Sequence, residues 1–179
     1  MYFSTKTEGV EEQIVDLFAT TFNASEGADE GALIGNLVSK LLSNTPREDI
    51  YVFTAYDHGE IIGGAVFSRL IYEDDPRSVF ILSPMAVATD RHGQGIGKAL
   101  LSHALAVLRD DGVAVAITYG DPAFYSKVGF LTLNETTAPP PLKLSYPMGW
   151  IGQSLSDEPL QALQGNCTCV AALNDPAIW

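Results

Sequence analysis

The chain has 179 residues, 46% of them hydrophobic and 18% charged, which indicates a globular protein large enough for a real core. The net charge of −12 argues against nucleic-acid binding, which needs a basic surface, and no apolar run reaches the roughly 18 residues of a membrane span. The first residues, Met1–Lys6, lack a basic segment followed by an apolar stretch, so no signal peptide is predicted. We expect one domain over residues 1–179, located in the cytoplasm.

The only two cysteines, Cys167 and Cys169, have C-x-C spacing. In a strand this spacing places both thiols on one face, and residues two apart rarely form a disulfide. With no second cysteine pair, metal ligation is not expected either. We therefore predict free thiols on a core or sheet face, which fits a reducing cytoplasm.

The first half of the chain contains two helical patterns followed by strands. Apolar residues at helical spacing predict helices, and alternating or β-rich runs predict strands. The predicted elements are helices at Glu8–Phe22 and Ala28–Leu42, a hairpin of Ile50–Tyr56 and Ile61–Tyr72, and a third strand at Ser78–Ala88. Gly63 and Gly64, inside the second hairpin strand, indicate a bulge or a close backbone approach.

The second half begins with the longest predicted helix, Gly95–Asp110. The continuously apolar run Val113–Tyr119 predicts a strand buried on both faces. Asp121 then provides an N-cap and Pro122 a first helical residue for a short helix that Gly129 ends. Two more strands are predicted, at Phe130–Leu133 and at Cys167–Leu173. This order of elements predicts a mixed α+β sheet with helices on both faces rather than a doubly wound parallel fold.

The segment Met85–Leu101 (MAVATDRHGQGIGKALL) consists of a strand, a loop with three alternate glycines and a strong helix. Glycines let backbone N–H groups face outward, and the first turn of a helix attracts anions, so a pyrophosphate is the expected guest. A Walker loop is excluded because Ala99 follows Lys98, and the spacing G-x-G-x-G differs from the Rossmann fingerprint. The alternative is a glycine-rich turn that starts a helix and binds no ligand.

Two blocks resemble the GNAT superfamily of N-acetyltransferases. HGQGIGKALL, which begins at His92, is similar to the acyl-CoA loop with the motif [QR]-x-x-G-x-[GA]. GDPAFYSKVGF, which spans Gly120–Phe130, is similar to the second signature, [FY]-Y-x-x-x-G-F, and its GDP start resembles a bacterial branch of predicted acetyltransferases. The resemblance implies a mixed, mostly antiparallel sheet of about six or seven strands flanked by helices. It also implies acetyl transfer from acetyl-CoA to a primary amine, with no metal.

The resemblance assigns roles to particular residues. The backbone at Met85, Ala86 and Val87 is expected to pair with pantetheine, and an N–H near Val87 to polarise the acetyl carbonyl. Tyr125 falls on the tyrosine that protonates the departing thiolate, although an ordinary structural tyrosine is the alternative. The N–H groups expected to cradle the pyrophosphate belong to Gly93, Gln94, Gly95, Ile96, Gly97 and Lys98.

The chain departs from the family pattern at two places. His92 stands where Gln or Arg is usual, with Arg91 before it, and either side chain could face the phosphates. The stretch Val79–Leu82 carries no carboxylate, whereas some family members have a general base there. The base then comes from elsewhere, or from no residue if the amine arrives neutral. The candidates are Glu73, Asp74, Asp75 and His58.

Other features leave alternatives open. Trp150 and Trp179 could shape an acceptor pocket or pack in the core, and Lys127 could reach the 3′-phosphate of CoA or lie in solvent. The acceptor is expected to be a small-molecule or peptide amine, and an exposed edge strand offers a route to a homodimer. The second hypothesis for function is an acyl-CoA-binding sensor with little turnover.

Overall fold

The computed structural model describes all 179 residues. The four α-helices are α1 (Glu11–Glu26), α2 (Ala28–Asn44), α3 (Ile96–Asp110) and α4 (Pro122–Tyr125). The eight strands are β1 (Tyr2–Ser4), β2 (Ile50–Asp57), β3 (Glu60–Tyr72), β4 (Val79–Val87), β5 (Val115–Tyr119), β6 (Leu131–Thr132), β7 (Trp150–Ser154) and β8 (Cys167–Cys169). Short 3-10 turns occur at Arg47–Asp49, Thr89–Arg91, Ser126–Val128, Pro147–Gly149, Ala171–Leu173 and Pro176–Ile178.

The strands form one sheet in which neighbours follow the order β1-β2-β3-β4-β5-β7-β6. The eighth strand, β8, is outside this order and pairs with β3. The β4–β5 ladder is parallel, whereas β1–β2, β3–β8, β5–β7 and β6–β7 are antiparallel. The predicted mixed and mostly antiparallel sheet is confirmed. It has one strand more than the upper number expected, because very short strands complete it.

The chain forms two compact units. The first comprises Met1–Phe67 and Pro84–Ala104, and the second comprises Ser68–Ser83 and Leu105–Trp179. The single domain predicted from the sequence stays a prediction.

In the first unit, helices pack on both faces of β3. An ideal Cβ at Gly64 would lie 2.7 Å from Phe18 Cε2 in α1, and one at Gly63 would lie 3.4 Å from Leu100 Cδ2 in α3. Because successive strand residues point to opposite faces, α1 and α3 cover opposite faces of β3. The close backbone approach predicted at these glycines is confirmed.

In the second unit, β5 is the central strand, with β4 on one side and β7 on the other. Its first four residues, 115–118, are at most 1% exposed, which confirms the strand predicted to be buried on both faces. Trp150 is fully buried and donates from Nε1 to the Ala138 carbonyl, and Trp179 donates to the Leu173 carbonyl. Of the two roles considered for these tryptophans, core packing is the one observed.

The sequence prediction missed two strands, β1 and β7. β1 has three residues, too few to show an alternating pattern. β7 contains Gly152, where an ideal Cβ would lie 2.8 Å from Leu133 Cδ1. Here the glycine permits close packing within the sheet, whereas glycine in a sequence more often indicates a turn.

Several predicted boundaries also shift. α1 starts and ends a few residues later than the predicted Glu8–Phe22. The strand predicted from Val113 begins at Val115, because the Val113 N–H bonds to the Leu108 carbonyl at the end of α3. The last strand ends at Cys169 because a 3-10 turn follows it. The strand predicted at Phe130–Leu133 pairs over two residues only.

Both cysteines are free thiols, and Cys167 is buried. No group of three or more His, Cys, Asp or Glu side chains is arranged to hold a metal ion. None of the helices has the length and apolar character needed to traverse a bilayer.

Candidate active site

The glycine-rich loop between β4 and α3 presents an open backbone surface. Gly93 and Gly95 have φ of 77° and 78°, left-handed conformations that side chains disfavour. No atom lies within 4 Å of an ideal Cβ at either residue, so nothing covers this side of the loop. The backbone therefore leaves room for a ligand at the two glycines.

The start of α3 adds unpaired donors to this loop. The Ala99 N–H is bonded to the Gly95 carbonyl and so begins the helical ladder. The N–H groups that precede it, including those of Ile96 and Gly97, have no intrahelical partner. These donors and the positive end of the helix dipole favour an anion at this point. A pyrophosphate fits the donor set on chemical grounds.

The two side chains considered for phosphate contact both have protein partners. Arg91 Nη1 donates to Asp57 Oδ2 at 3.2 Å. His92 Nε2 lies 2.8 Å from the Val87 carbonyl oxygen, and since a carbonyl can only accept, Nε2 carries the hydrogen. Lys98, in the first turn of α3, is exposed. The loop thus offers mainly backbone donors to an anion, and the phosphate site predicted from the sequence stays a prediction.

The end of β4 has a free edge. Its ladder with β5 ends at the pair Leu82–Thr118, although β4 continues to Val87. The Ala88 N–H bonds to the Ile62 carbonyl in β3, and strand backbone groups alternate between edges. The Leu82 carbonyl, however, accepts from Thr118 in β5, although Leu82 and Ala88 are an even number of positions apart. The alternation is therefore interrupted between these two residues and assigns Met85 and Val87 to no edge. The pairing of Met85, Ala86 and Val87 with pantetheine stays a prediction.

Tyr125, in the second unit, is held by the turn that carries it. Asp121 caps α4 by accepting from the Ala123 N–H at 2.9 Å, and Gly129, with φ of 95°, ends the following turn. These two capping predictions are confirmed. An ideal Cβ at Gly120 would lie 2.8 Å from Tyr125 Cε2. The absence of a side chain at Gly120 therefore lets the tyrosine ring pack directly against the backbone.

Burial of the phenol raises the pKa of Tyr125 to about 12; the neighbouring Thr118 hydroxyl opposes this rise and the charge of Asp121 adds to it. The phenol is therefore protonated at neutral pH. That is the state a general acid needs before it acts.

The candidate bases differ in their surroundings. Asp75 accepts from Arg77 Nη2 at 2.6 Å and from its Nε at 2.9 Å, which lowers the pKa of Asp75 to about 2. Glu73 accepts from the Asn166 amide. Asp74 is exposed, and His58 lies at the hairpin corner with φ of 49°. Asp75 is thus a weak base held in an ion pair, and nothing singles out the other three.

The sequence analysis missed one concave feature of the first unit. A cleft of about 400 Å³ lies against α1 and the β2–β3 hairpin. Its lining includes Asp16, Glu60 and Ala88, the residue that follows β4. No sequence signal identifies this cleft, because it joins a helix face to a hairpin turn more than 40 positions away.

The chain is similar to known acetyltransferases in sequence and in fold. Residues 48–131 match the family model described as Acetyltransferase (GNAT) domain. YhbS of Escherichia coli (strain K12), an uncharacterized N-acetyltransferase, is 35% identical over 74 residues, or 41% of this chain and 44% of YhbS. YjhQ of the same strain, also an uncharacterized N-acetyltransferase, is 28% identical over 116 residues, or 62% of this chain and 64% of YjhQ. The matched segments span less than half of YhbS and less than two thirds of YjhQ.

Two solved structures resemble the whole chain. The E. coli YhbS structure in complex with CoA has a TM-score of 0.78 at 21% identity and covers 99% of this chain and 93% of its own. A GNAT family acetyltransferase from Brucella melitensis in complex with acetyl-CoA has a TM-score of 0.74 at 20% identity and covers 97% of each chain. At these identities the likeness shows a shared fold. The family match covers less than half of the chain, and the solved structures show that the chain shares its fold with GNAT family acetyltransferases.

Proposed function

We propose that the protein binds acetyl-CoA and transfers the acetyl group to a primary amine. The observation that carries this proposal is the open loop at Gly93 and Gly95, followed by the unpaired N–H groups at the start of α3. A diphosphate matches these donors in charge and hydrogen bonding. Relatives of the same fold were solved with acetyl-CoA and with CoA, which supports the choice of diphosphate.

Different residues are proposed to bind the pyrophosphate, pantetheine and acetyl parts of acetyl-CoA. The backbone from Gly93 to Lys98 holds the pyrophosphate, and Lys98 adds a positive charge at its edge. The backbone of Met85, Ala86 and Val87 pairs with pantetheine amides in the manner of an added strand. An N–H near Val87 polarises the acetyl carbonyl and stabilises the charge that develops on its oxygen.

The proposed reaction is a direct transfer in a ternary complex. The amine nitrogen forms a bond to the acetyl carbon as the carbon–sulfur bond breaks. Tyr125 gives its proton to the departing sulfur, and the amine loses one proton to solvent or to a base. A covalent route through cysteine is disfavoured, because burial raises the pKa of Cys167 to about 12 and a thiol in that state is a poor nucleophile.

The net charge of −12 favours a cationic acceptor such as an amine carried by a small molecule or a peptide. A second candidate is an acyl-CoA-binding sensor with little turnover. One observation favours it: Val79–Leu82 of β4 are apolar and buried, so this strand supplies no carboxylate base. The predicted cytoplasmic location and homodimer stay predictions.

Free-thiol release from acetyl-CoA separates the two candidates when it is measured with polyamines, aminoglycosides, amino acids and peptide N-termini. We expect turnover with at least one amine class. We also expect Tyr125→Phe to lower kcat by about 10²- to 10⁴-fold with CoA binding unchanged, while the control Tyr56→Phe has little effect. CoA binding without turnover across the panel would favour the sensor, and absence of CoA binding would refute both.

A further inference from the structure

The peptide group that joins Val87 to Ala88, at the end of β4, is held from two sides. Its N–H donates to the Ile62 carbonyl in β3 at 2.9 Å. Its carbonyl accepts from His92 Nε2 at 2.8 Å. Because the C=O and the N–H of a trans peptide point in opposite directions, Ile62 and His92 hold this group from opposite sides.

The His92 ring reaches this carbonyl across the turn that follows β4. The 3-10 turn Thr89–Arg91 lies between the two residues. Its backbone makes two bonds: the Arg91 N–H donates to the Ala88 carbonyl at 2.8 Å, and the His92 N–H donates to the Thr89 carbonyl at 3.4 Å. The second distance exceeds the usual range for such a bond. The ring bond is therefore the shorter contact that connects His92 back to β4.

Arg91, the residue before His92, connects the same turn to a different strand. Its Nη1 donates at 3.2 Å to Asp57 Oδ2, at the end of β2. The other carboxylate oxygen of Asp57 lies 3.6 Å from the N-terminal amine of Met1. The two side chains in front of the glycine loop therefore both bond to strand ends, Arg91 to β2 and His92 to β4.

The turn lies between two parts of the proposed cosubstrate site. Val87, at one end, is where an N–H is proposed to polarise the acetyl carbonyl. Gly93, at the other end, is the first of the proposed phosphate donors and follows His92 directly. The His92 side chain thus connects the start of the phosphate loop with the residue proposed to act on the acetyl group.

We infer that His92 is a positioning residue that fixes the backbone at Val87 for acetyl transfer, and that its side chain does not bind the phosphates. The inference rests on the proposed function. A hydrogen-bond donor stabilises a developing charge well only if its direction is set beforehand. Without the His92 ring, the Val87–Ala88 peptide is held on its N–H side alone and can reorient. The rate of transfer then falls, whereas the backbone donors of residues 93–98 are left in place for CoA.

The test compares three replacements of His92. Glutamine has its side-chain N–H group as many bonds from Cβ as His92 Nε2, asparagine has the same amide one bond closer to the backbone, and alanine has no donor. We expect His92→Ala and His92→Asn to lower kcat about 3- to 10-fold, as for the loss of one hydrogen bond. His92→Gln should keep most of the rate. The Kd for CoA should change less than about twofold in all three variants.

Hydrogen exchange of the Ala88 amide tests the same contact without turnover. An amide opens more often when its peptide is held less firmly. We expect this amide to exchange about 3- to 10-fold faster in His92→Ala and His92→Asn than in the wild type. In His92→Gln it should exchange at the wild-type rate.

A side chain that binds phosphate would give a different result. If His92→Ala raises the Kd for CoA and leaves kcat unchanged, the side chain contributes to binding rather than to positioning, and the inference is overturned. It is also overturned if His92→Asn keeps as much rate as His92→Gln, or if the Ala88 amide exchanges at one rate in the wild type and all variants. A wild-type protein without turnover refutes the proposed function itself, and the exchange rates then decide whether His92 holds the peptide.

Discussion

At the scale of single residues, the proposed anion site depends on the two positive-φ glycines of the loop, Gly93 and Gly95. Gly95 has φ of 78°, and an ideal Cβ there meets no atom within 4 Å. A substitution would therefore add strain rather than a clash with the protein. The proposed binding of a diphosphate depends on this freedom, because the same backbone must present its N–H groups outward.

We expect Gly95→Ala to raise the Kd for CoA about 5- to 30-fold, the equivalent of the roughly 1–2 kcal/mol that a left-handed conformation costs alanine. The free loop can relax away from the strained conformation, whereas the bound loop cannot. Isothermal titration calorimetry measures this change.

Gly112→Ala is the matched control. Gly112 has φ of 84° and an equally open Cβ position, but it ends α3 rather than preceding it. We expect it to lower the melting temperature with the Kd for CoA unchanged. Equal Kd values for wild type and Gly95→Ala would contradict the anion site at the loop.

At the scale of elements, the packing of α1 on β3 depends on one glycine of an adjacent pair. A Cβ at Gly64 would lie 2.7 Å from Phe18, which is fully buried, whereas one at Gly63 would meet its neighbours at 3.4 Å or more. We expect Gly64→Ala to lower the free energy of unfolding by about 1–3 kcal/mol, the usual range for overpacking. Gly63→Ala should cost less than about 1 kcal/mol. Urea unfolding of both variants tests this, and equal losses would argue against the packing described.

The loop between β3 and β4 is tied to the later chain by one ion pair. Arg77 binds both carboxylate oxygens of Asp75 and also the carbonyls of Gln161 and Ala162. Asp75 in turn accepts from the Gln164 N–H. Arg77 and Asp75 thus connect the β3–β4 loop to the segment that precedes β8.

We expect Asp75→Asn to lower the free energy of unfolding at pH 7 by about 1.5–3 kcal/mol, since hydrogen bonds to a charged group are lost. The pKa of Asp75 is lowered to about 2 in the fold, so its contribution is complete above about pH 4 and is lost as the pH falls toward 2. The difference between wild type and Asp75→Asn should therefore shrink over that range. Asp74→Asn, at the exposed neighbour, is the control, and a difference that stays constant down to pH 2 would contradict the ion pair.

Local patterns were enough to predict most elements of this fold. The buried strand β5, the cap at Asp121 and the stop at Gly129 each depend on residues close in sequence, and each is confirmed. β7 was missed because Gly152 is explained only by its packing against Leu133. β1 was missed because its stability comes from pairing with β2, 50 residues away.

The candidate site was predictable in part for the same reason. The glycine-rich loop and the segment Gly120–Phe130 each depend on residues that are close in sequence. Their backbone conformations could therefore be predicted. The ion-pair partners of Arg91 and Asp75 were not predictable, because the sequence offers each charged side chain many oppositely charged partners. The assigned roles in binding and catalysis stay predictions until they are measured.

At the scale of the whole molecule, charge opposes the proposed cosubstrate. A protein with a net charge of −12 repels a polyanion at long range, while the loop attracts it at contact. We expect the association rate constant for CoA to rise when salt is increased from about 10 mM to 150 mM, as the Debye length falls from about 30 to 8 Å. Stopped-flow measurements test this, with uncharged pantetheine as the control. A rate constant that falls with salt would mean that local cations steer binding instead.

We propose that backbone donors at the loop and the start of α3 bind a diphosphate. Amide chemical shifts of the ¹⁵N-labelled protein during titration with CoA test this claim most directly. We expect the largest saturable changes at the amides of residues 93–98. It is contradicted if those amides stay unchanged while CoA, at millimolar concentration, binds elsewhere or not at all.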